Sequence, residues 1–247
     1  MSNGIYNRTE LLLGGEAMDR LQRVRVIVFG VGGVGSWCAE SLLRTGVKHL
    51  TLVDADRVTE TNLNRQLMAT TETIGRPKVE ALRERLLSIN PEAEIEAIEE
   101  IYTVETAERF RIEEYDYVID AIDSLQPKAD LILHATRVHV RLFSSMGAAL
   151  KLDPTRVKVA EFWKVTGCPL AAALRNKFKR TKQMPRRKFQ CVYSDELLRN
   201  QGVTDPEDGS PEAFHKVQTN GSLAHITAIF GFTLAGLVVK DIVRNEN

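Results

Sequence analysis

The chain has 247 residues, 43% hydrophobic and 27% charged, a globular composition that excludes disorder, collagen and a disulfide-stapled scaffold. Thirty-three Lys plus Arg balance thirty-three Asp plus Glu, so any preference for a polyanion must come from how charge is distributed, not from its sum. Three cysteines, Cys38, Cys168 and Cys191, lie far apart and form no C-x-x-C pair, which argues against a zinc knuckle and a disulfide framework and points to a reducing compartment.

The opening segment, MSNGIYNRTELL, has no basic-then-apolar signal pattern, and a cytoplasmic location is expected. From Val24 the run VRVIVFG reads as a strand that ends in glycines, and SWCAESLLRTG carries apolar residues at helical spacing with Gly46 as its C-cap. HLTLVDAD reads as a second buried strand, so residues 24–56 are expected to form a βαβ unit with parallel strands. GRPKVEALRERLLSINP comes next as an amphipathic helix, with Pro77 in its first turn and Pro91 just beyond its end. EAEIEAIEE is expected as a strand, YDYVIDAID as another that ends in two aspartates, then a helix to about Arg137 and a short strand, HVRLFSSMG.

This alternation predicts an α/β fold, a Rossmann-like doubly wound and mostly parallel sheet. After Gly147 the pattern changes: TRVKVAEFW and KFQCVYS alternate like antiparallel strands around a helical PLAAALRNKFKR, and are expected to extend the same sheet. The chain is thus read as one domain, 1–247, with a Rossmann-like half, 1–150, and an antiparallel extension, 151–247. VTDPEDGSPE, residues 203–212, is polar, turn-rich and expected to be mobile. Ile226 to Val239 spans fourteen residues, short of the roughly 20 that cross a bilayer as a helix; a buried core helix capped by Asn220-Gly221-Ser222 is expected instead of a membrane span.

Gly30-Val31-Gly32-Gly33-Val34-Gly35 matches G-x-G-x-x-G directly after a strand and at the start of a helix, and an acid, Asp54, stands nineteen residues after Gly35. Glycines let backbone N–H groups approach phosphate at the positive end of a helix, and a carboxylate at the next strand end accepts ribose hydroxyls. By the motif alone NAD would be the default ligand; the bland alternative is a glycine turn that packs a helix on a strand. The segment after Asp54 is unlike a dehydrogenase, because the strand runs on to Asp56 and then into VTETNLNRQ, with Asn62, Arg65 and Gln66. A triphosphate with a metal needs such groups: Asp56 to ligate Mg²⁺, Arg65 and Lys78 to neutralise phosphate charge. Singly, Arg65 reads equally as a surface ion pair and Lys78 as a solvated helix residue; the signal is their joint presence with both aspartates. Asp120 and Asp123 fall at the C-terminal edge of the next strand, where ligands bind in open α/β sheets. Asp123 reads as a metal or nucleotide ligand, or else as a helix N-cap before Ser124.

Together GVGGVGS, DADRVTETNLNRQ, GRPKVEA, INPEAEIEAI and DAIDS resemble the ATP-dependent adenylating superfamily that includes ubiquitin-activating enzymes, ThiF and the molybdopterin-synthase adenylyltransferases, over residues 5 to about 150. The resemblance implies that the residues at Gly32, Asp54, Asn62, Arg65, Lys78 and Asp123 bind ATP, with Asp56 near Mg²⁺; Gly30, Gly33, Gly35 and Gln66 are expected to join the ATP site, and Arg65, Lys78 and Asp123 to act in the chemistry. Tyr6-Asn7-Arg8 is similar to the family's N-terminal YNRQ motif, with Thr9 in place of glutamine, and implies a homodimer in which Arg8 completes the neighbouring subunit's site.

Members that activate ubiquitin-like C termini for sulfur transfer carry two C-x-x-C pairs and a reactive loop cysteine. The chain lacks the pairs, and its cysteines read as small buried hydrophobes, Cys168 being the one open to exposure. Between Phe162 and Ser194 there is no acid, and from Arg175 to Lys188 eight of fourteen residues are basic: Arg175, Lys177, Lys179, Arg180, Lys182, Arg186, Arg187 and Lys188. Such a run is either a solvated helix face or, being one-signed and interleaved with Phe178 and Phe189, a footprint for the phosphates of RNA.

In the second half MGAA from Met146, LDPTRVKV from Leu152, CPLA from Cys168, CVYSDE from Cys191 and GSL from Gly221 look similar to the tRNA threonylcarbamoyladenosine dehydratases, over nearly the whole chain. That resemblance implies adenylation of the threonyl carboxylate of a modified adenosine beside the anticodon, then loss of AMP and ring closure, with the eight basic residues on tRNA. The alternative is an adenylyltransferase for the C terminus of a small ubiquitin-like sulfur carrier. A monovalent cation, Na⁺ or K⁺, and sulfur-transfer or accessory protein partners stay open, the general base is unassigned, and His134, His215 and His225 read as structural.

Overall fold

A computed structural model describes residues 4–138, 140–202 and 220–244. Its centre is one seven-stranded sheet in the order β3-β2-β1-β4-β5-β7-β6. The strands are β1 (Arg25–Phe29), β2 (His49–Val53), β3 (Glu94–Ile98), β4 (Tyr117–Asp120), β5 (Arg141–Ser145), β6 (Val157–Glu161) and β7 (Gln190–Ser194). Among the described residues seven α-helices accompany it: α1 (Asn7–Leu13), α2 (Gly15–Arg23), α3 (Gly35–Thr45), α4 (Lys78–Ile89), α5 (Leu125–Ala135), α6 (Pro169–Thr181) and α7 (Ala224–Arg244).

Continuous apolar runs such as Val26-Ile27-Val28-Phe29 form central strands because parallel sheets are buried on both faces. Val26 and Val28 point into a core shared with α2, α3, α4 and α7, while Ile27 and Phe29 point into a second core built by α5 and α6. β1 pairs in parallel with β2 and β4, and β4 with β5, so the C-terminal ends of these strands share one edge.

The second half extends this sheet, as its alternating pattern suggests, but β6 pairs antiparallel with β7 while β7 itself runs parallel to β5. β6 runs opposite to β5 and returns the chain to the end of the sheet where β7 starts, with Glu161 beside Gln190, and α6 lies between β6 and β7 in the chain. In register, Gln190 lies beside Phe143, so the basic residues before it enter the sheet at the end opposite the glycine turn. A five-residue strand separates the two ends by about 17 Å.

The late apolar run forms the core helix expected of it. One face of α7 packs on α3 so closely that a Cβ on Gly231 would stand 2.5 Å from Val34 O and 2.8 Å from Trp37 Cβ. By length and composition α7 could also cross a membrane, yet half of its apolar window is buried inside the protein. Two local expectations are corrected. α7 begins at Ala224, too late for Asn220 to cap it, and Pro77 occupies the N-cap of α4 with an extended ψ of 132° instead of lying within the first turn. Residues 203–212 lie outside the described residues.

Candidate functional site: the nucleotide end of the sheet

The glycine turn is held against the β4–α5 turn, and this decides its residues. Gly30 has φ +82°, and a Cβ there would lie 2.8 Å from Ala121 O; one on Gly35 would lie 1.9 Å from Gly30 O. Gly30 N–H donates to Val53 O at 2.8 Å, and Ser36 Oγ donates to Gly32 O at 2.6 Å, which closes the turn onto α3. Glycine is required at both positions by sterics alone.

Asp54 spans the turn. Its Oδ2 accepts from Val31 N–H at 2.8 Å and its Oδ1 from Asp56 N–H at 2.9 Å. Burial raises its pKa; the Lys78 charge and the two N–H groups oppose the shift, and Asp56 adds to it. Lys78, at the start of α4, is buried with its Nζ 2.6 Å from Asp56 Oδ2. Asn62 is buried and accepts from Thr59 N–H at 3.1 Å within a capping box.

Arg65 donates from Nη1 to Thr61 O at 2.8 Å and Asn64 Oδ1 at 2.9 Å. Partial burial lowers its pKa, and the charge of Asp123 opposes this. Arg65 and Asp123, on different elements, are thus near enough for their charges to act on one another. Gln66 is buried with Oε1 lacking a hydrogen-bond partner among the described residues. Its Nε2 would be 3.7 Å from a Cβ on Gly32, so its amide borders the glycine turn. Thr227 of α7 closes the other side, 3.2 Å from where a Cβ on Gly33 would stand.

Asp123 is exposed just ahead of α5, whose N-cap is Ser124 with no side-chain cap bond. The N-cap alternative for Asp123 is thereby excluded. Asp120 is not an edge ligand: it is fully buried, 2.8 Å from Lys128 Nζ, and accepts from Ser144 Oγ at 2.6 Å. Burial raises its pKa and Lys128 opposes the shift. Sequence reasoning missed Lys128; the available signal was a lone lysine on the apolar stripe of α5, between Leu125 and Leu131.

No group of three or more His, Cys, Asp or Glu among the described residues could hold a metal unaided. The carboxylates of Asp56 and Asp123 are hard oxygen donors of the kind Mg²⁺ takes, and Mg²⁺ commonly completes its shell with water and substrate phosphates. Asp56 would have to divide its charge between such an ion and Lys78.

The basic run divides. Arg175 is tied to the core, its Nη1 donating to Val165 O at 3.0 Å and Phe162 O at 3.3 Å, with its guanidinium 5.9 Å over the Phe162 ring. Arg187 donates to Ala135 O at 3.0 Å, Thr136 O at 3.1 Å and Val140 O at 3.4 Å, which satisfies the end of α5. Lys177 donates to Gln126 Oε1. Lys179, Arg180, Lys182, Arg186 and Lys188 are exposed. Phe178 and Phe189 are buried core residues, which corrects their reading as aromatics interleaved in a footprint.

All three cysteines are buried, Cys168 included, which corrects its reading as open to exposure. Burial pushes the Cys38 and Cys191 thiols up, away from reactive thiolate. His134 Nδ1 lies 2.7 Å from Tyr102 Oη, and His225 Nε2 3.0 Å from Leu152 O; His215 is outside the described residues. Arg8 is exposed on α1 beside Leu11 and Leu12, each 82% exposed.

Known proteins match this arrangement along the chain's length. The ThiF family profile matches residues 6–247. A tRNA threonylcarbamoyladenosine dehydratase of Bacillus subtilis is 39% identical over 244 residues, 97% of this chain and 95% of the relative. Another, of Escherichia coli, is 34% identical over 253 residues, covering 96% and 93%. The crystal structure of the Escherichia coli tRNA N6-threonylcarbamoyladenosine dehydratase in complex with ATP superposes with a TM-score of 0.85 at 34% identity, over 97% of this chain and 93% of that one. The glycine turn, its carboxylates and this full-length similarity lead to one conclusion: the chain belongs to the ThiF family, in the branch that holds the tRNA threonylcarbamoyladenosine dehydratases.

Proposed function

We propose that the protein catalyses ATP-dependent cyclisation of threonylcarbamoyladenosine in tRNA through a carboxyl-adenylate. The observation that carries this reading is that similarity to the dehydratases continues through the half beyond residue 150, which carries the basic helix α6. The glycine turn and Asp54 hold the nucleotide, and Arg65 with Lys78 meets its phosphates. A threonyl carboxylate oxygen attacks the α-phosphorus and pyrophosphate leaves. The carbamoyl group, already on the same molecule, then attacks the acyl carbon and AMP departs with that carboxylate oxygen, a net loss of water. Two anions must meet in the first step, so positive charge and positioning supply most of the catalysis. Mg²⁺, held by Asp123 and Asp56, would neutralise phosphate and pyrophosphate charge when bound.

No protein thiol is needed, which agrees with three buried cysteines and weighs against the sulfur-carrier alternative. The exposed Leu11 and Leu12 on the helix that bears Arg8 support a homodimer in which Arg8 reaches the partner's nucleotide. Lys179, Arg180, Lys182, Arg186 and Lys188 would contact tRNA phosphates.

Incubation with ATP, Mg²⁺ and tRNA bearing threonylcarbamoyladenosine, then digestion and mass spectrometry, should give a nucleoside lighter by one water only when ATP is present. Unchanged tRNA, with ATP–pyrophosphate exchange driven instead by a carrier protein ending in Gly-Gly, would transfer the site to the sulfur-carrier reaction.

A further inference from the structure

The β4–α5 turn carries Asp123 into the start of α5. Its N-cap makes no side-chain bond, and Asp123 is exposed. Directly beneath it lies an ion pair with no solvent access, Lys128 with Asp120, both side chains 0% exposed. Lys and Asp are seldom buried so completely, and a pair of this kind is costly to desolvate unless its remaining valences are filled. Here they are filled by the turn itself. Lys128 Nζ donates to Ile122 O at 2.9 Å, and Asp120 Oδ1 accepts from Ile122 N–H at 3.2 Å. Both backbone polar groups of Ile122 are thus gripped by the pair, and Ile122 is the residue joined to Asp123.

The grip is anchored on both sides. Ser144 Oγ, from β5, donates to Asp120 Oδ2 at 2.6 Å. Ala121 N–H donates to Phe29 O at 2.8 Å, and Ala121 O is the atom that excludes a side chain at Gly30. The buried pair thus holds Ile122, the residue between Ala121, whose carbonyl walls the glycine turn, and Asp123.

We propose that Lys128 and Asp120 are positioning residues for nucleotide activation: they fix the Ile122 backbone so that the Asp123 carboxylate is directed at the bound triphosphate. This rests on the reading that Asp123 belongs to the ATP site. An apolar pair of similar volume would serve stability as well, so stability and activity can be separated.

The test is a double-mutant cycle in the full-length protein. Lys128→Met with Asp120→Asn removes both charges, retains near-native volume and keeps an acceptor for Ile122 N–H, but removes the donor to Ile122 O. The expected result is cooperative unfolding close to that of the parent, a fall in tRNA-dependent AMP release of about 10²-fold, and an ATP affinity, measured by calorimetry in Mg²⁺, weakened about tenfold. The combined variant with Asp123→Asn added should be little less active than Asp123→Asn alone, because the clamp acts through that carboxylate.

Parental turnover in a folded double variant, or losses that multiply independently with Asp123→Asn, would overturn the proposal. Full activity of Asp123→Asn by itself would instead overturn the site reading on which it rests. If the double variant fails to fold, Ser144→Ala supplies the test: it keeps both charges and removes one hydrogen bond from Asp120 Oδ2, and should raise the Mg²⁺ concentration for half-maximal AMP release about threefold, with an unchanged requirement counting against the clamp.

Discussion

The two ends of the sheet use charge in opposite ways. At the glycine end nearly every charged or polar side chain is buried or locked to a neighbour: Asp54 to two backbone N–H groups, Lys78 to Asp56, Asp120 to Lys128 and Ser144. At the far end, before β7, Lys182, Arg186 and Lys188 project into solvent. Fixed charges in a low-dielectric site act strongly at short range and need no reorganisation when phosphate charge develops. Solvated charges act weakly one at a time and collectively along a polyanion, with a strong salt dependence. Under the proposed function, chemistry belongs to the locked end and attachment of the tRNA body to the solvated end.

Substitutions at the two ends should differ in kind, and the largest effect is expected where the chain has least freedom. Gly35→Ala places a Cβ against Gly30 O and should destabilise the protein by about 3 kcal/mol while abolishing ATP binding, measured by thermal denaturation and calorimetry. Asp123→Asn should lower tRNA-dependent AMP formation by about 10³-fold with an unchanged melting temperature; a fully active variant would remove Asp123 from the site. Mixing inactive Arg8→Ala and Asp123→Asn subunits should recover about a quarter of parental activity, since random exchange makes half the dimers mixed and each mixed dimer has one intact site. Absence of recovery, once mixed dimers are confirmed by native mass spectrometry, would count against completion in trans.

Two neighbouring arginines sharpen the contrast within the basic end. Arg187→Ala should cost about 1–3 kcal/mol of stability, because it strips donors from three backbone carbonyls. Arg186→Ala with Lys188→Ala should leave stability unchanged and reduce the slope of log K for tRNA against log salt by about 2, with ATP affinity unaffected. A stability loss in the second variant with no change in slope would make this segment purely structural.

The legible parts of the molecule are those whose reasons are local. Gly30 to Gly35, Asp54 and the βαβ unit are set by spacing within a few tens of residues, and the late apolar run is a core helix because its period matches a packing face. The features that sequence reasoning missed depend on partners distant in the chain. Lys128 is buried because Asp120 of β4, itself bonded to Ser144 of β5, meets it, and its place alone on an apolar stripe is a weak local mark of that. Arg175, Arg187, Phe178 and Phe189 read as one footprint with their exposed neighbours until the backbone carbonyls and rings they meet are known. β7 lies parallel to β5 because β6 runs the other way between them in the chain, which the alternation of the strand itself does not encode. Cys168 precedes a proline and reads as open to exposure, yet α6 and the turn at Gly147 cover it.

The central claim is that a substrate carboxylate is activated on the α-phosphate at the locked end of the sheet. The most direct measurement uses tRNA whose threonylcarbamoyl carboxylate carries ¹⁸O, turned over with unlabelled ATP, and reads the AMP by mass spectrometry. Attack by the carboxylate on phosphorus requires AMP to leave carrying one labelled oxygen as the ring closes. AMP without label, alongside a cyclised nucleoside, would contradict the carboxyl-adenylate and the account built on it.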